Sequence, residues 1–476
     1  MTHTERASRG ISSHDLAPFG WAPLVVIFFV GLVDRIEYNI VSGVLPLIQD
    51  EWGIGDGLAG SIPTAAAIAG AIVAVPAGYL ADRYRRTRLM AVVVLAWSVI
   101  TVASGAALSF AMFYVTRIVL GAAENIDNPV AGSLLGDYYP PRSRDRAFGW
   151  TRLTQYAGTA VGTILGGVIA GAFGWRTAFF VMAVPGLLVA WRCLRLREPP
   201  RGFVDRVAAS GTSEPIPIPD ADVRPARDAA DRPVRGDGGA READAADPPA
   251  RGRRGPGLGA QLREVLAIRT AVCVGLGVGI LTLGLTGIFY WLPSLVHRTY
   301  GVGVGAAALT TGGISLLGVL LGTLLGMRLG RRWHGVRRGG RVLAGGGGML
   351  IGSAILGVSL MVGTFWLFTA VLLIAVSIMA VAIPTLTATV ADVIGAASRG
   401  VGFGVLQLVL TAGAAGGPLI VGISSQATGS LTAAMYVLIV PMLLGAVVTL
   451  AVRGSSDREA HRVLSDAHPG EGGTAG

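Results

Sequence analysis

The chain has 476 residues, of which 14% are charged and 52% hydrophobic, and its net charge is +10. Soluble domains carry about a quarter charged residues, so the composition argues against a soluble fold, and the 70 glycines follow no collagen period. Every cationic side chain counted as Lys or Arg is arginine, and these cluster in short segments between long apolar runs. That distribution marks the loops of a polytopic membrane protein and argues against nucleic-acid binding.

Residues 1–20 read as a polar tail. The apolar run from Trp21 is too long for the core of a cleavable signal peptide and is predicted to be the first span. Six spans are predicted at about 21–48, 57–80, 87–108, 112–137, 146–170 and 175–196. Six more are predicted at about 268–295, 304–328, 341–361, 364–390, 399–424 and 431–452. Each reaches or approaches the ~20 residues that cross a hydrocarbon core, and none alternates like a barrel strand. Between the two sets, residues 201–260 hold ten arginines and ten acidic residues, a composition expected of a disordered linker. Its last part, running on to residue 267, is expected on the membrane surface before span 7. The two cysteines, Cys193 and Cys273, are expected as free thiols.

The predicted fold is all-α and polytopic, with twelve transmembrane helices in two six-helix halves. An N-terminal bundle occupies 21–200, the linker 201–260, a C-terminal bundle 261–453 and a polar tail 454–476. Arginine clusters follow span 2 (Arg83, Arg85, Arg86, Arg88), span 4 (Arg142, Arg144, Arg146) and span 8 (Arg328, Arg331, Arg332, Arg337, Arg338). All three fall on one side if the spans alternate, which places both termini, linker and tails in the cytoplasm. Arg176 and Arg298 are exceptions on the opposite side, where Asp50, Glu51 and Asp56 also lie.

Charges within spans cost at least ~2.5–3.5 kcal/mol each on insertion scales, so they are expected to pair or to line a polar cavity. Span 1 holds Asp34, Arg35 and Glu37, followed by Tyr38 and Asn39; span 4 holds Arg117, Glu124 and Asp127. Arg117, Gly121, Glu124 and Asn128 share one helical face, as do Asp34 and Tyr38. The expected arrangement sets spans 1 and 4 face to face, with carboxylates of one near an arginine of the other. A carboxylate that gains and loses an arginine partner binds and releases a proton. Asp34 and Glu124 are therefore the candidate titrating groups, with Arg117 as their switching partner and Arg35 holding the cavity's field or an anionic headgroup. A static ion-pair network is the structural alternative. Glu37, Tyr38, Asp127, Asn128, Gln155, Tyr156, Tyr290, Trp291 and Gln407 are candidate cavity residues, each with packing as the alternative.

After span 2 the chain reads Gly78-Tyr-Leu-Ala-Asp82-Arg83-Tyr-Arg85-Arg86. Gly78 permits close helix contact, and Asp82, Arg83 and Arg86 are expected to latch the cytoplasmic side against the other half. In span 5, Gly158, Gly162, Gly166 and Gly167 form a smooth ridge for helix packing. No histidine lies deep in a span, and no nucleotide-binding motif or catalytic serine elbow is present. No metal site, cofactor or enzymatic activity is expected.

On these motifs the chain resembles the major facilitator superfamily. The loop from Gly78 to Arg88 is similar to the superfamily's motif after the second helix, with Arg85 in place of an internal glycine. Arg117-x-x-x-Gly121 resembles its fourth-helix motif, and the span 5 glycines resemble its antiporter signature, with Gly162-Thr163 where Gly-Pro is usual. Within the superfamily the chain most resembles the Spinster-like group, through Asp34-Arg35, Gly43-Val44-Leu45-Pro46, Arg117 with Glu124, Gly136-Asp137 and Trp291-Leu292-Pro293. The resemblance implies a coupling site at Asp34, Arg35, Arg117 and Glu124 and a small amphipathic or lysolipid-like solute. It also implies a functional monomer driven by a proton gradient. Arginine-only usage points to a bacterial plasma (inner) membrane. The expected function is proton-coupled export by antiport, with symport or uniport of a nutrient or organic anion as one alternative. A non-transporting sensor or scaffold is the other.

Overall fold

The computed structural model describes residues 15–210, 258–333, 335–395 and 398–467. The side chains of Asp82, Asn128, Arg152, Gln155 and Tyr156 lie outside the described residues. The regular elements described are all helices. In chain order they are α1 (Ala22–Trp52), α2 (Asp56–Arg83), α3 (Arg86–Gly105), α4 (Phe110–Tyr138), α5 (Pro141–Phe173), α6 (Trp175–Leu194) and α7 (Phe203–Ser210). There follow α8 (Leu258–Ala267), α9 (Arg269–Tyr300), α10 (Val304–Trp333), α11 (Gly340–Ser359), α12 (Phe365–Ala380), α13 (Ala382–Val393), α14 (Arg399–Thr428), α15 (Leu431–Ala451) and α16 (Arg453–Ala467).

Among the described residues, nine helical stretches are long and apolar enough to cross a membrane, counting α12 and α13 as one. Helices α1, α4 and α5 have the length, at 31, 29 and 33 residues, but carry charged side chains. The outer surface is apolar: α10 alone exposes Leu309, Leu316, Leu317, Leu320, Leu321 and Leu324. In water such a stripe would be a large unpartnered patch; in a bilayer it is the lipid-facing wall. The chain is thus an all-α polytopic membrane protein. Prolines inside helices, such as Pro46 in α1, Pro293 in α9 and Pro418 in α14, suit this setting, where neighbouring helices satisfy the backbone that a proline frees.

The packing repeats itself. Helix α1 packs on α5, α2 on α4 and α3 on α6; correspondingly α9 packs on α14, α10 on α12 and α11 on α15. The two most extensive contacts between the sets, α2 against α14 and α5 against α10, exchange when the sets are exchanged, and α1 also meets α9 and α10. Glycines make the closest approaches. A methyl group at Gly162 of α5 would stand 2.5 Å from the Ile36 carbonyl oxygen of α1, and at Gly166 it would meet Ile40 at 2.8 Å. On the other side, Gly413 and Gly417 of α14 meet the Gly279 and Leu283 carbonyls of α9 in the same manner. Both α1 and α9 end on a left-handed glycine, Gly53 at φ +62° and Gly301 at φ +65°.

The structure corrects one expectation about the polar segments. Residues 203–210, placed in a disordered linker, form α7, whose Phe203 and Val207 are buried against Phe19 and whose Asp205 pairs with Arg144 at 2.7 Å. The composition average over 201–260 hid this short amphipathic turn. Residues 258–260 open α8, which Glu264 ties to the Ser398 hydroxyl at 2.6 Å. Likewise the tail from residue 454 is helical as far as Ala467. Asp457 accepts the Gly339 amide at 2.7 Å and Glu459 the Thr270 amide at 3.2 Å, so its polar residues cap neighbouring helices. Residues 211–257, the remainder of the expected linker, lie outside the described residues.

Candidate functional site

The charged side chains of α1 and α4 form two adjoining groups. In the first, Arg35 reaches back to its own neighbour: its Nε and Nη2 both lie 2.7 Å from Asp34 Oδ2. Its guanidinium stands 5.6 Å from the Tyr38 ring centre and within electrostatic reach of Glu124 and Asp127. Asp34 and Glu124 are each 3% exposed, and Asp34 Oδ1 and Glu124 Oε1 are buried without a hydrogen-bond partner. Asp127 is buried on the same helix as Glu124. Arg35 stays half-buried, and a methyl group at Gly158 of α5 would stand 2.4 Å from its Cβ.

The second group lies within the N-terminal bundle. Glu37 is fully buried and its Oε2 accepts from the Thr101 hydroxyl of α3 at 2.9 Å. Arg117 donates to the Ser104 hydroxyl and lies over the rings of Phe113 and Phe179, at 5.4 and 5.1 Å. In this conformation Arg117 hydrogen-bonds to Ser104 and not to Asp34 or Glu124, its expected switching partners. The long, flexible Arg35 side chain folds back on Asp34, and Arg117 lies against aromatic faces and the Ser104 hydroxyl, with its Nε and Nη1 buried without a hydrogen-bond partner. Glu37 and Glu124 remain within electrostatic reach of Arg117.

The other candidates divide. The Tyr290 hydroxyl of α9 donates to the Ala59 carbonyl of α2 at 2.8 Å and so bridges the two sets of helices. It lies within electrostatic reach of Tyr38 and Tyr114, and Tyr114 shares a 2.9 Å hydrogen bond with Ser61. Trp291, expected in the cavity, is instead fully buried, and its indole donates to the Pro418 carbonyl at 2.9 Å inside the α9–α14 contact. Its neighbour Tyr290 faces α2 of the other set because the two project about 100° apart on the helix. Gln407 is exposed on α14 and makes a long 3.5 Å contact to Thr411. The side chains of Asn128, Gln155 and Tyr156 lie outside the described residues. Thr163 replaces a motif proline and uses its hydroxyl, which meets that of Ser42 at 2.9 Å; Gly167 faces Ala308 of α10.

The expected latch also reads differently. Arg86 is buried and pairs with Asp137 of α4 and Glu198 beyond α6, and it donates to the Pro199 carbonyl at 2.8 Å. It therefore braces its own half rather than reaching the other. Burial raises the Glu198 carboxyl, but donation from the Thr87 amide and hydroxyl and from Arg86 outweighs this and holds it below the usual range. Arg83 is exposed and donates to the Tyr79 hydroxyl at 2.5 Å. Gly78 lies in α2, and the Asp82 side chain is outside the described residues.

Among the described residues, the polar contacts between the two sets concentrate in the half opposite the Arg-rich loops, with the Thr64 hydroxyl of α2 donating to the Ala415 carbonyl of α14 further in. Arg298 of α9 donates to both Asp56 oxygens and to Gln49 of α1; Ser425 of α14 donates to Asp56 at 2.6 Å, and Gln426 accepts the Gly57 amide at 3.2 Å. Sequence reasoning missed this clasp. Its signal was present in Arg298, an exception to the arginine asymmetry close to an acidic loop. The other exception, Arg176, is likewise neutralised, by Glu51 at 2.7 Å; hydrogen bonds from Arg176 and Trp175 hold that carboxyl low.

Comparison with known proteins identifies the fold. The profile of the Major Facilitator Superfamily matches residues 27–418, and the chain belongs to that family. It is 31% identical over 189 residues to human protein spinster homolog 1, covering 38% of this chain and 35% of that protein. It is 29% identical over 187 residues to protein spinster homolog 1 of Xenopus laevis, covering 38% of this chain and 36% of that one. A probable sulfoacetate transporter of Cupriavidus necator is 30% identical over 164 residues, 34% of this chain and 37% of that protein. The matched regions thus span little more than a third of these relatives. Over 94% of this chain and 98% of the other, the fold is similar to a solved bacterial homolog of the human lysosomal transporter Spinster in an inward-facing, occupied conformation (TM-score 0.70, 20% identity). The unoccupied form of that homolog gives a TM-score of 0.69 at 21% identity, covering 93% and 97%.

Proposed function

We propose that the chain is a proton-coupled secondary transporter that exports a small amphipathic or lysolipid-like solute by antiport across a bacterial plasma membrane. On this reading twelve spans form two halves with both termini in the cytoplasm, and the functional unit is a monomer. The helices are closed on the outer side by the clasp at Asp56 and Arg298. The observation that carries the reading is the pair of buried, incompletely partnered carboxylates, Asp34 and Glu124, beside Arg35 at mid-membrane. An ionised carboxylate is costly there, so protonation and a conformational change are linked. Proton exchange needs no cofactor, and among the described residues no group of three or more metal-ligating side chains occurs.

Similarity to a probable sulfoacetate transporter supports a second reading, proton symport of an organic anion. The two are separated in proteoliposomes carrying a pH gradient. Antiport predicts solute movement opposite to protons, and symport predicts movement with them. Absence of gradient-dependent flux across a screen of lipids, drugs and organic acids overturns both.

A further inference from the structure

The clasp gathers α1, α2, α9 and α14, and each of these helices carries a proline in its half nearer the clasp: Pro46, Pro63, Pro293 and Pro418. A proline has no amide hydrogen for the carbonyl four residues back, and its ring pushes that carbonyl aside. Pro63 does this to the Ala59 carbonyl of α2. Ala59 is fully buried, so water does not reach the carbonyl in this conformation. The donor comes from the other set: the Tyr290 hydroxyl of α9, at 2.8 Å. Tyr290 is held in place by its neighbour. Its ring meets that of Trp291 edge-on at 5.6 Å, and Trp291 is anchored to the Pro418 carbonyl at 2.9 Å.

A reciprocal bond runs the other way. Thr64 of α2 donates to the Ala415 carbonyl of α14 at 2.5 Å, in the turn that Pro418 interrupts. Between the two bonds the backbones touch. A methyl group at Gly60 would stand 2.4 Å from the Pro418 carbonyl oxygen, and one at Gly422 would stand 2.4 Å from that of Asp56. Membrane helices tolerate proline where a neighbour satisfies the freed backbone. Here the neighbour belongs to the other set, so the Ala59 carbonyl is satisfied only while the sets are closed at this end.

We infer that Tyr290 is a positioning residue that holds this end shut, by donating to the Ala59 carbonyl that Pro63 deprives of its helical donor. This deepens the proposed function and rests on its two alternating conformations. The bond lies deeper than the clasp: Ala59 is about one turn in from Asp56 on α2, and Tyr290 about two turns in from Arg298 on α9. Parting α2 from α9 breaks it and leaves the carbonyl to water. A second tyrosine supplies the comparison. Tyr114 of α4 shares a 2.9 Å hydrogen bond with Ser61 of α2, inside one set, and that bond does not depend on how the sets are placed.

The test uses purified full-length protein with spin labels at Asp50→Cys and Ala427→Cys, Cys193 and Cys273 being replaced by serine. The ratio of long to short distances reads opening at this end. Tyr290→Phe removes the hydroxyl and keeps the ring, and is expected to raise the ratio about fivefold. Pro63→Ala returns an amide donor to α2. In that background Tyr290→Phe should change the ratio by less than about twofold, because the carbonyl is no longer left bare. Tyr114→Phe should leave the ratio unchanged. An unchanged ratio in a monodisperse Tyr290→Phe protein overturns the inference without any further variant. A shift that is undiminished beside Pro63→Ala also overturns it, as does an equal shift in Tyr114→Phe. Gradient-driven flux is followed in parallel with the unlabelled wild type. Flux without a shift in Tyr290→Phe overturns the lock and leaves the transport reading standing. A shift without flux of any solute screened overturns the transport reading and leaves the lock as a property of the fold.

Discussion

Arg298 of α9 grips Asp56 of α2 with two nitrogens, at 2.9 and 2.8 Å, and the pair joins the two sets of helices at the end away from the Arg-rich loops. Asp56 also accepts from Gln49 at 2.8 Å and from Ser425, so one carboxylate gathers four helices. Exposed ion pairs contribute about 0–1 kcal/mol each, but two conformations of a transporter need differ by no more than this for a pair to decide between them. Arg298→Ala is expected to raise the population open at this end several-fold. Spin labels at Asp50→Cys and Ala427→Cys, with Cys193 and Cys273 replaced by serine, report it as a longer distance peak. An unchanged distribution shows that the clasp does not set the balance.

Neutralising the buried carboxylates separates coupling from translocation. Asp34→Asn and Glu124→Gln are each expected to lower pH-driven flux at least tenfold, while counterflow exchange of solute without a gradient stays measurable. Retained gradient-driven flux in both variants counts against proton coupling at these positions. Arg117→Lys should be costly as well, because an ammonium cannot lie flat between Phe113 and Phe179 as a guanidinium does.

The seam between α1 and α5 has no room for side chains. Gly162→Val sets new carbons against the Ile36 backbone, and overpacking of this kind costs about 1–3 kcal/mol. The variant is expected to unfold several degrees lower than wild type in detergent, whereas Gly149→Ala, where a methyl meets open space, should not. Equal melting temperatures would mean that the seam yields.

Glu198 makes acid sensitivity local. Its carboxyl is held low in the folded protein by the Thr87 and Arg86 donors, so the folded state binds this proton less readily than the unfolded chain, where glutamate titrates near ~4.3. The stabilisation is present in full above that value and is lost as pH falls through the lower, folded one. Glu198→Gln should therefore reduce stability at neutral pH and flatten the acid limb of a melting-temperature profile below about pH 4.3. Parallel profiles for variant and wild type are the contrary result.

Much of the architecture was legible because hydrophobic length and arginine placement are direct consequences of the bilayer. The spacing of Gly158, Gly162 and Gly166 likewise announced a close helix contact, since little else explains three small residues on one face. Pairing was less legible. Helical projection locates Cβ atoms, whereas arginine spans several ångströms beyond its own; Arg35 turned to Asp34 and Arg86 to Glu198, partners that no periodicity could name. Trp291 shows the same limit, because one residue's shift along α9 exchanges the face toward α2 for the α9–α14 contact. The clasp at Asp56 joins residues 242 positions apart, and only the folded halves bring them together.

The two sets of helices repeat a packing scheme, yet the buried charges lie in the first set and the second brings an uncharged wall. On the proposed function, the coupling charges and the wall that shapes the solute lie in different halves. Substitutions along α9 and α14 would then reshape what fits without rewiring the carboxylates, so the range of cargo could drift while the energy source stayed the same.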